Sequence, residues 1–298
     1  MNFDLLVILG PTASGKTRAG IEVARVLGGE IISADSRQVY RGMDIGTGKD
    51  LEEYGSVPYH LIDIVDPGYD FNVFEFQRRF LKAFNGIRAR GRLPVVVGGT
   101  GMYLDAVLRG YRLLDVPENP GLRHELASFS LENLAARLKG SNPKLHNTTD
   151  LLDRERLTRA IEIAESGRER GQPPSILPEI EPIVFGIGVE REILRQRITK
   201  RLRERLNRGM IEEVKELAKK GTSLETLEFY GLEYRFVAKF LKGELNRNDM
   251  FQKLNSAIHQ FAKRQETWFR RMERQGILIH WVDGNADPEA SILKKLKG

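Results

Sequence analysis

Leu5-Leu6-Val7-Ile8-Leu9-Gly10-Pro11-Thr12-Ala13-Ser14-Gly15-Lys16-Thr17 opens the chain with an apolar run, a glycine-rich turn and the start of an amphipathic pattern. Ile21, Val23, Ala24 and Leu27 recur on one side of that pattern, so the order is strand, phosphate loop, helix. Gly10 and Gly15 let successive backbone N–H groups turn into one concavity, and the N-terminal end of the helix adds its positive dipole. In such a loop Lys16 reaches the outer phosphates and the Thr17 hydroxyl holds Mg²⁺. A phosphate site therefore stands at the head of the first strand.

Outward from this loop the pattern repeats. Glu30-Ile31-Ile32-Ser33 reads as a second strand, followed by Asp35-Ser36-Arg37-Gln38-Val39-Tyr40 and a glycine-rich loop, Met43-Asp44-Ile45-Gly46-Thr47-Gly48. His60–Val65 is a further strand candidate closed by Asp66-Pro67-Gly68, a helix is expected from Val73 to Arg90, and Leu93–Val97 is a buried strand ending at Gly98-Gly99-Thr100-Gly101. Short apolar runs alternating with helices predict an α/β fold, a mostly parallel sheet of the P-loop NTPase-like kind flanked by helices. In such sheets ligands bind beyond the carboxyl ends of the strands, where the Asp35 and Thr100 segments fall.

Between Asp115 and Pro182 strand patterns disappear. Leu122, Leu126 and Phe129, then Leu131, Leu134 and Leu138, follow helical spacing, and prolines mark both ends. The expected organisation is a catalytic core of residues 1–114 and 183–298 with a helical insertion at 115–182. Pro182–Ile187 and Ile277–Val282 supply two more strands.

With 298 residues the chain can bury a full core. No apolar window suffices to span a membrane, and the first strand begins too early for a leader segment, so a cytoplasmic location is expected. There is no Cys, which excludes disulfides and thiolate zinc sites, and the five His show no ligand spacing. A net charge of +6 suits a phosphate-rich partner, although such an excess alone is the mark of many solvated surfaces. Between Arg191 and Arg208 eight positions are basic and two acidic; Arg197, Arg201, Arg205 and Arg208 share a helical face beside the apolar stripe Leu194, Ile198, Leu202 and Leu206.

The loop motif Gly10–Thr17, with Asp35-Ser36-x-Gln38-x-Tyr40, Gly98-Gly99-Thr100-Gly101-x-Tyr103, Asp153-x-x-Arg156-x-x-Arg159-Ala160-Ile161-Glu162, Arg197-x-x-x-Arg201 and Ala262-Lys263-Arg264-Gln265-x-Thr267-Trp268-Phe269-Arg270, resembles the tRNA dimethylallyltransferase family along nearly the whole chain. The resemblance implies transfer of the dimethylallyl group of dimethylallyl diphosphate to N6 of adenosine 37 in the anticodon stem-loop of tRNA, with Mg²⁺ as cofactor. It implies Asp35 as the base, with Thr100 and Lys16 also catalytic. Gly10, Thr12, Ala13, Ser14, Gly15, Lys16, Thr17 and Arg201 would bind diphosphate. Asp35, Ser36, Arg37, Gln38, Thr100, Arg123, Arg154, Arg156 and Arg159 would contact tRNA, the last four from an insertion that clasps it. A monomer is expected. Lys263, Arg264, Arg270 and Arg271 interleave with Trp268 and Phe269 in a pattern suited to RNA, ordinary core packing being an equal reading of the two aromatics. Where the family often has Gly-Tyr-Lys-Glu this chain has Tyr230-Gly231-Leu232-Glu233-Tyr234. The alternatives are an isopentenyltransferase acting on free adenine nucleotides, which lacks a large basic insertion, a small-molecule P-loop kinase, and a GTPase-like RNA-binding module, for which a guanine-reading Asn-Lys-x-Asp stretch is missing.

Overall fold

A computed structural model describes residues 3–111, 113, 115–141, 153–170 and 178–297. Its strands are β1 (Leu5–Leu9), β2 (Glu30–Ala34), β3 (Tyr59–His60), β4 (Pro94–Gly98), β5 (Pro182–Gly188) and β6 (His280–Asp283). Its helices are α1 (Lys16–Leu27), α2 (Val73–Ala89), α3 (Gly101–Leu108), α4 (Pro120–Ala127), α5 (Leu131–Ser141), α6 (Arg154–Arg170), α7 (Arg191–Asn207), α8 (Met210–Lys219), the single turn α9 (Leu224–Leu227), α10 (Leu232–Leu241), α11 (Arg247–Arg274) and α12 (Pro288–Lys297). The chain divides into two compact units, residues 1–111 with 177–298, and residues 112–176.

In the first unit six strands form one sheet in the order β3-β2-β4-β1-β5-β6, every pair parallel. Both faces are covered, so β1, β4 and β5 are apolar throughout and their period of two shows only in where side chains go. Leu5, Val7 and Leu9 enter the larger core, beneath α2, α3, α7, α8, α10 and α11, whereas Leu6 and Ile8 enter the core shared with α1 and α12. β2 and β4 divide likewise, Ile32 and Val96 on the first side, Ile31, Val95 and Val97 on the second.

Two strand ends differ from expectation. β3 stops at His60 because Leu61 and Asp63 adopt left-handed backbone (φ 63° and 53°), leaving only an isolated bridge between Tyr40 and Val65 of the expected continuation. β6 starts at His280 rather than Ile277, since Ile277 and Leu278 are still on the turn that leaves α11, with Leu278 exposed.

The second unit buries Leu126, Leu134, Leu138, Leu157 and Ile161 in a core of its own between α4, α5 and α6. Glu162, fully buried there, accepts from Arg123 (2.8 Å), from the Asn119 amide (2.9 Å) and from Arg159 (3.1 Å). Burial opposes its ionisation, but these three donors outweigh it and hold the carboxyl at about 2.

Candidate active site

Strand register brings three loops to one level. Leu9 pairs with Gly98 and Gly98 with Ala34, so the chain leaves β1, β4 and β2 side by side at the carboxyl edge of the sheet. Gly98 is required there, because a Cβ would overlap the Ala34 carbonyl. The Thr100 amide donates to Ala34 O (3.2 Å) and the Thr100 hydroxyl accepts from Ser36 N (3.0 Å), tying the second loop to the third. Asp35 Oδ1 accepts from Arg37 N (2.9 Å), a local turn that fixes its carboxylate beside Thr100 in the cavity wall.

The cavity, about 280 Å³, is lined by Thr12, Lys16, Thr17, Asp35, Ser36, Arg37, Gln38 and Thr100. It thus collects most of the predicted site. Ala13 and Gly15, both with left-handed backbone, open with Lys16 and Thr17 onto a neighbouring recess walled by Arg197, Arg201 and Arg205 of α7 and by Arg208 just past its end. Gly10 and Ser14 form the underside of the loop instead: Ser14 is buried and its hydroxyl would collide with any Cβ at Gly10.

Lys16 is half-buried, its ammonium 3.2 Å from Pro11 O. Loss of water, only partly offset by Asp35 and reinforced by Arg201 and Arg205, lowers its pKa to about 8. Burial, with Arg201 next to it, also lowers Arg205 to about 10. Lys16, Arg201 and Arg205 crowd at one point, and Asp50 and Glu233 offset them only in part, so the site gains when a further anion arrives. Arg201 lines the cavity, and Arg205 stands with it, 3.3 Å from Glu233. The Thr17 hydroxyl in the cavity wall fits a Mg²⁺ completed by substrate oxygens and water, and among the described residues no cluster of three His, Asp or Glu makes an all-protein cage.

Several predicted contacts have other uses. Gln38 is buried in the cavity wall, accepting from Ser33 Oγ (3.0 Å) and donating to Gly48 O (3.3 Å), so its amide orders the glycine loop. Arg123 and Arg159 are held by Glu162, and Arg154 caps the end of α4 through the carbonyls of Leu126 (3.3 Å), Ala127 (3.4 Å) and Phe129 (2.6 Å). All three brace the helical unit. Arg156 is 64% exposed, 3.9 Å from Asp153. Of the two aromatics near the C-terminal end, Phe269 is fully buried, while Trp268 packs on Gly101 and donates to Asp105 (3.2 Å); both belong to the core.

Gln265, in the stretch read as RNA-facing, is the residue whose role was least expected. It is 7% exposed, its Oε1 accepts from Thr12 N (2.8 Å) and its Nε2 donates to Gly99 O (2.9 Å). One amide side chain from α11 thereby clamps the phosphate loop to the Thr100 loop, and Thr12 N is engaged with it. The cavity rim adds Phe229, 75% exposed, with Leu232, Ile258 and Phe261, over which Arg264 lies 5.8 Å from the ring centre. Glu233 also lines the wall, its carboxyl pKa raised by burial. The Ala262–Arg270 motif and the departure at Tyr230–Tyr234 pointed to this region, but nothing local gives Gln265 its loop partners or brings Phe229, Leu232 and Ile258 to the rim.

Comparison with known proteins gives a consistent picture. A family model described as IPP transferase matches residues 38–272, and one described as isopentenyl transferase matches residues 3–55. The tRNA dimethylallyltransferase 1 of Geotalea uraniireducens is 70% identical, over 97% of this chain and 95% of its own. The tRNA dimethylallyltransferase 2 of Syntrophotalea carbinolica is 65% identical, over 99% of each. Among solved structures, a tRNA isopentenylpyrophosphate transferase from Bacillus halodurans superposes with a TM-score of 0.71 at 34% identity, over 99% of this chain and 95% of that one. A eukaryotic dimethylallyltransferase acting on tRNA shares the fold, with a TM-score of 0.76 at 24% identity, over 94% of this chain and 73% of its own. With the sheet-edge cavity and these relatives together, the chain belongs to the tRNA dimethylallyltransferase family.

Proposed function

We propose that this protein transfers the dimethylallyl group of dimethylallyl diphosphate to N6 of adenosine 37 in tRNA and releases diphosphate. The observation that carries the reading is the meeting of Lys16, Arg201 and Arg205 with Asp35 and Thr100 in one cavity. The adenine amine attacks the allylic carbon, the bond from that carbon to the diphosphate oxygen breaks, and one proton leaves N6. Negative charge grows on the departing diphosphate, where the three cations and the loop amides of Ala13 to Thr17 stand ready. The Asp35 carboxylate, oriented by Arg37 N, takes the proton, and the Thr100 hydroxyl holds the amine in line.

When Mg²⁺ is bound, it adds charge neutralisation at the diphosphate; the Thr17 hydroxyl would hold it. The exposed ring of Phe229 and the Phe261–Arg264 pair suit an extruded base and the prenyl chain, with Ser36 and Arg37 on the RNA side of the wall. In the helical unit Arg156 is the arginine best placed for the phosphate backbone. A substrate that is tRNA fits the cytoplasm; no described helix is long and apolar enough to cross a membrane.

The test is a prenylation assay. Protein, Mg²⁺ and labelled dimethylallyl diphosphate are offered whole tRNA or AMP, and the labelled nucleoside is identified by mass spectrometry. Label on adenosine of tRNA alone is expected. Label on AMP alone would move the protein to free nucleotides, and ATP turnover without label on either would make it a kinase.

A further inference from the structure

Met43-Asp44-Ile45-Gly46-Thr47-Gly48-Lys49-Asp50 has no task in the reaction as described, yet its Gly46-Thr47-Gly48-Lys49 core looks like a second phosphate loop. The fold has closed that use. Lys49 is turned inward and fully buried, its ammonium on Asp63, on Asp44 (2.7 Å) and on Tyr40 O (2.6 Å). The amides that would receive a phosphate are already filled. The Glu213 carboxylate, from the first turn of α8, accepts from Asp44 N (2.9 Å), Ile45 N (2.6 Å) and Gly46 N (3.0 Å), and the Tyr234 hydroxyl donates to it (2.6 Å). Three successive backbone N–H groups on one carboxylate make an anion nest occupied by the protein's own side chain.

The opposite side of the loop faces α7. Gly46 O accepts from Arg205 Nη1 (3.3 Å), and a Cβ at Gly48 would overlap the guanidiniums of Arg201 and Arg205. Asp50 pairs with Arg208 (2.9 Å) and Arg201 (3.6 Å). What resembles a phosphate cradle is a guanidinium cradle. Two adjacent guanidiniums repel, and a glycine segment with its amides unmade would not keep them together.

We propose that Glu213 is a positioning residue for the diphosphate: by filling the nest of residues 44–46 it presses Gly46, Gly48 and Asp50 against α7 and so aims Arg201 and Arg205 into the P-loop cavity. This rests on the reading that those two arginines meet the diphosphate. Glu213 itself touches neither substrate. Its loss is felt as weaker use of dimethylallyl diphosphate, with chemistry and tRNA use little altered.

The experiment is a double-mutant cycle on KM for dimethylallyl diphosphate, using Glu213→Ala and Arg205→Lys singly and together. Glu213→Ala is expected to raise that KM about tenfold, with kcat and the KM for tRNA within about twofold, and to add little once Arg205→Lys is present. Glu213→Gln, which keeps the shape and a neutral acceptor, gives a smaller rise and carries the same cycle if Glu213→Ala does not fold. An unchanged KM in both Glu213 variants overturns the proposal, as does an increase that simply adds to that of Arg205→Lys. Arg201→Lys and Arg205→Lys both leaving KM unchanged would instead overturn the placement of diphosphate at these arginines.

Discussion

Lys16 shows how one side chain is tuned by position. Burial lowers its pKa to about 8, so in the free enzyme the ammonium is present below that pH and lost above it. The kcat/KM for dimethylallyl diphosphate should therefore fall about tenfold per pH unit above about 8, as a profile reporting the free enzyme. Lys16→Arg, charged throughout, should lack that limb. The effect on folding has the opposite sign: a lowered lysine pKa costs the fold stability below about 8, a cost relieved as pH rises toward 10.5. Asp35 is the complementary test. Asp35→Ala should lower kcat by roughly 10² to 10⁴ while the KM for tRNA stays within about threefold, measured in steady state. Both residues were legible in the chain because each sits at a fixed offset from a strand end. Arg205 and Glu233 were less so, since a helical face is chosen only when its neighbour is known.

At the scale of elements, α11 decides more than any other segment whether the site forms. Gln265 satisfies two backbone groups on two loops that are distant in sequence. Gln265→Leu keeps the size and leaves both without a partner, which should cost about 2–5 kcal/mol of stability in urea unfolding and lower kcat with it. Gln265→Glu, which still accepts from Thr12 N, should cost less stability but weaken diphosphate use through its charge. In the helical unit, Arg154→Ala removes the cap on α4. A loss of about 1 kcal/mol is expected, seen as a lower melting temperature, together with an unchanged salt slope of tRNA binding. A flattened slope would restore Arg154 to the RNA surface.

Across the described residues, both units hold a buried carboxylate to arginine. In the α/β unit, Glu30 is held at about 2, first by hydrogen bonds from Arg90, against the pull of burial, and then by His60 at 2.7 Å. A depressed carboxyl stabilises the fold fully above its unfolded value of 4.5 and loses that contribution as pH falls toward 2. Acid unfolding should therefore steepen between those values, and Glu30→Gln should flatten that part of the curve when unfolding is followed by circular dichroism. Glu162 plays the matching part in the helical unit.

The chain by itself determined the parallel α/β sheet, the phosphate loop and the presence of Asp35 and Thr100 at the ligand edge. These are local facts: apolar runs of strand length, glycines at turns, and functional residues just after strands. Only the tertiary structure decided which cations meet the loop and which are braces. Arg201 and Arg205 face the cavity whereas Arg123, Arg154 and Arg159 are engaged by carboxylates and carbonyls of their own helical unit, although all five look alike in sequence. A charged side chain takes whichever carboxylate, carbonyl or cavity the fold brings within about 3 Å, and that partner lies tens or hundreds of residues away. Gln265 on the phosphate loop and Glu213 on the glycine loop are of this kind: their chemistry is written in the chain, their address is not.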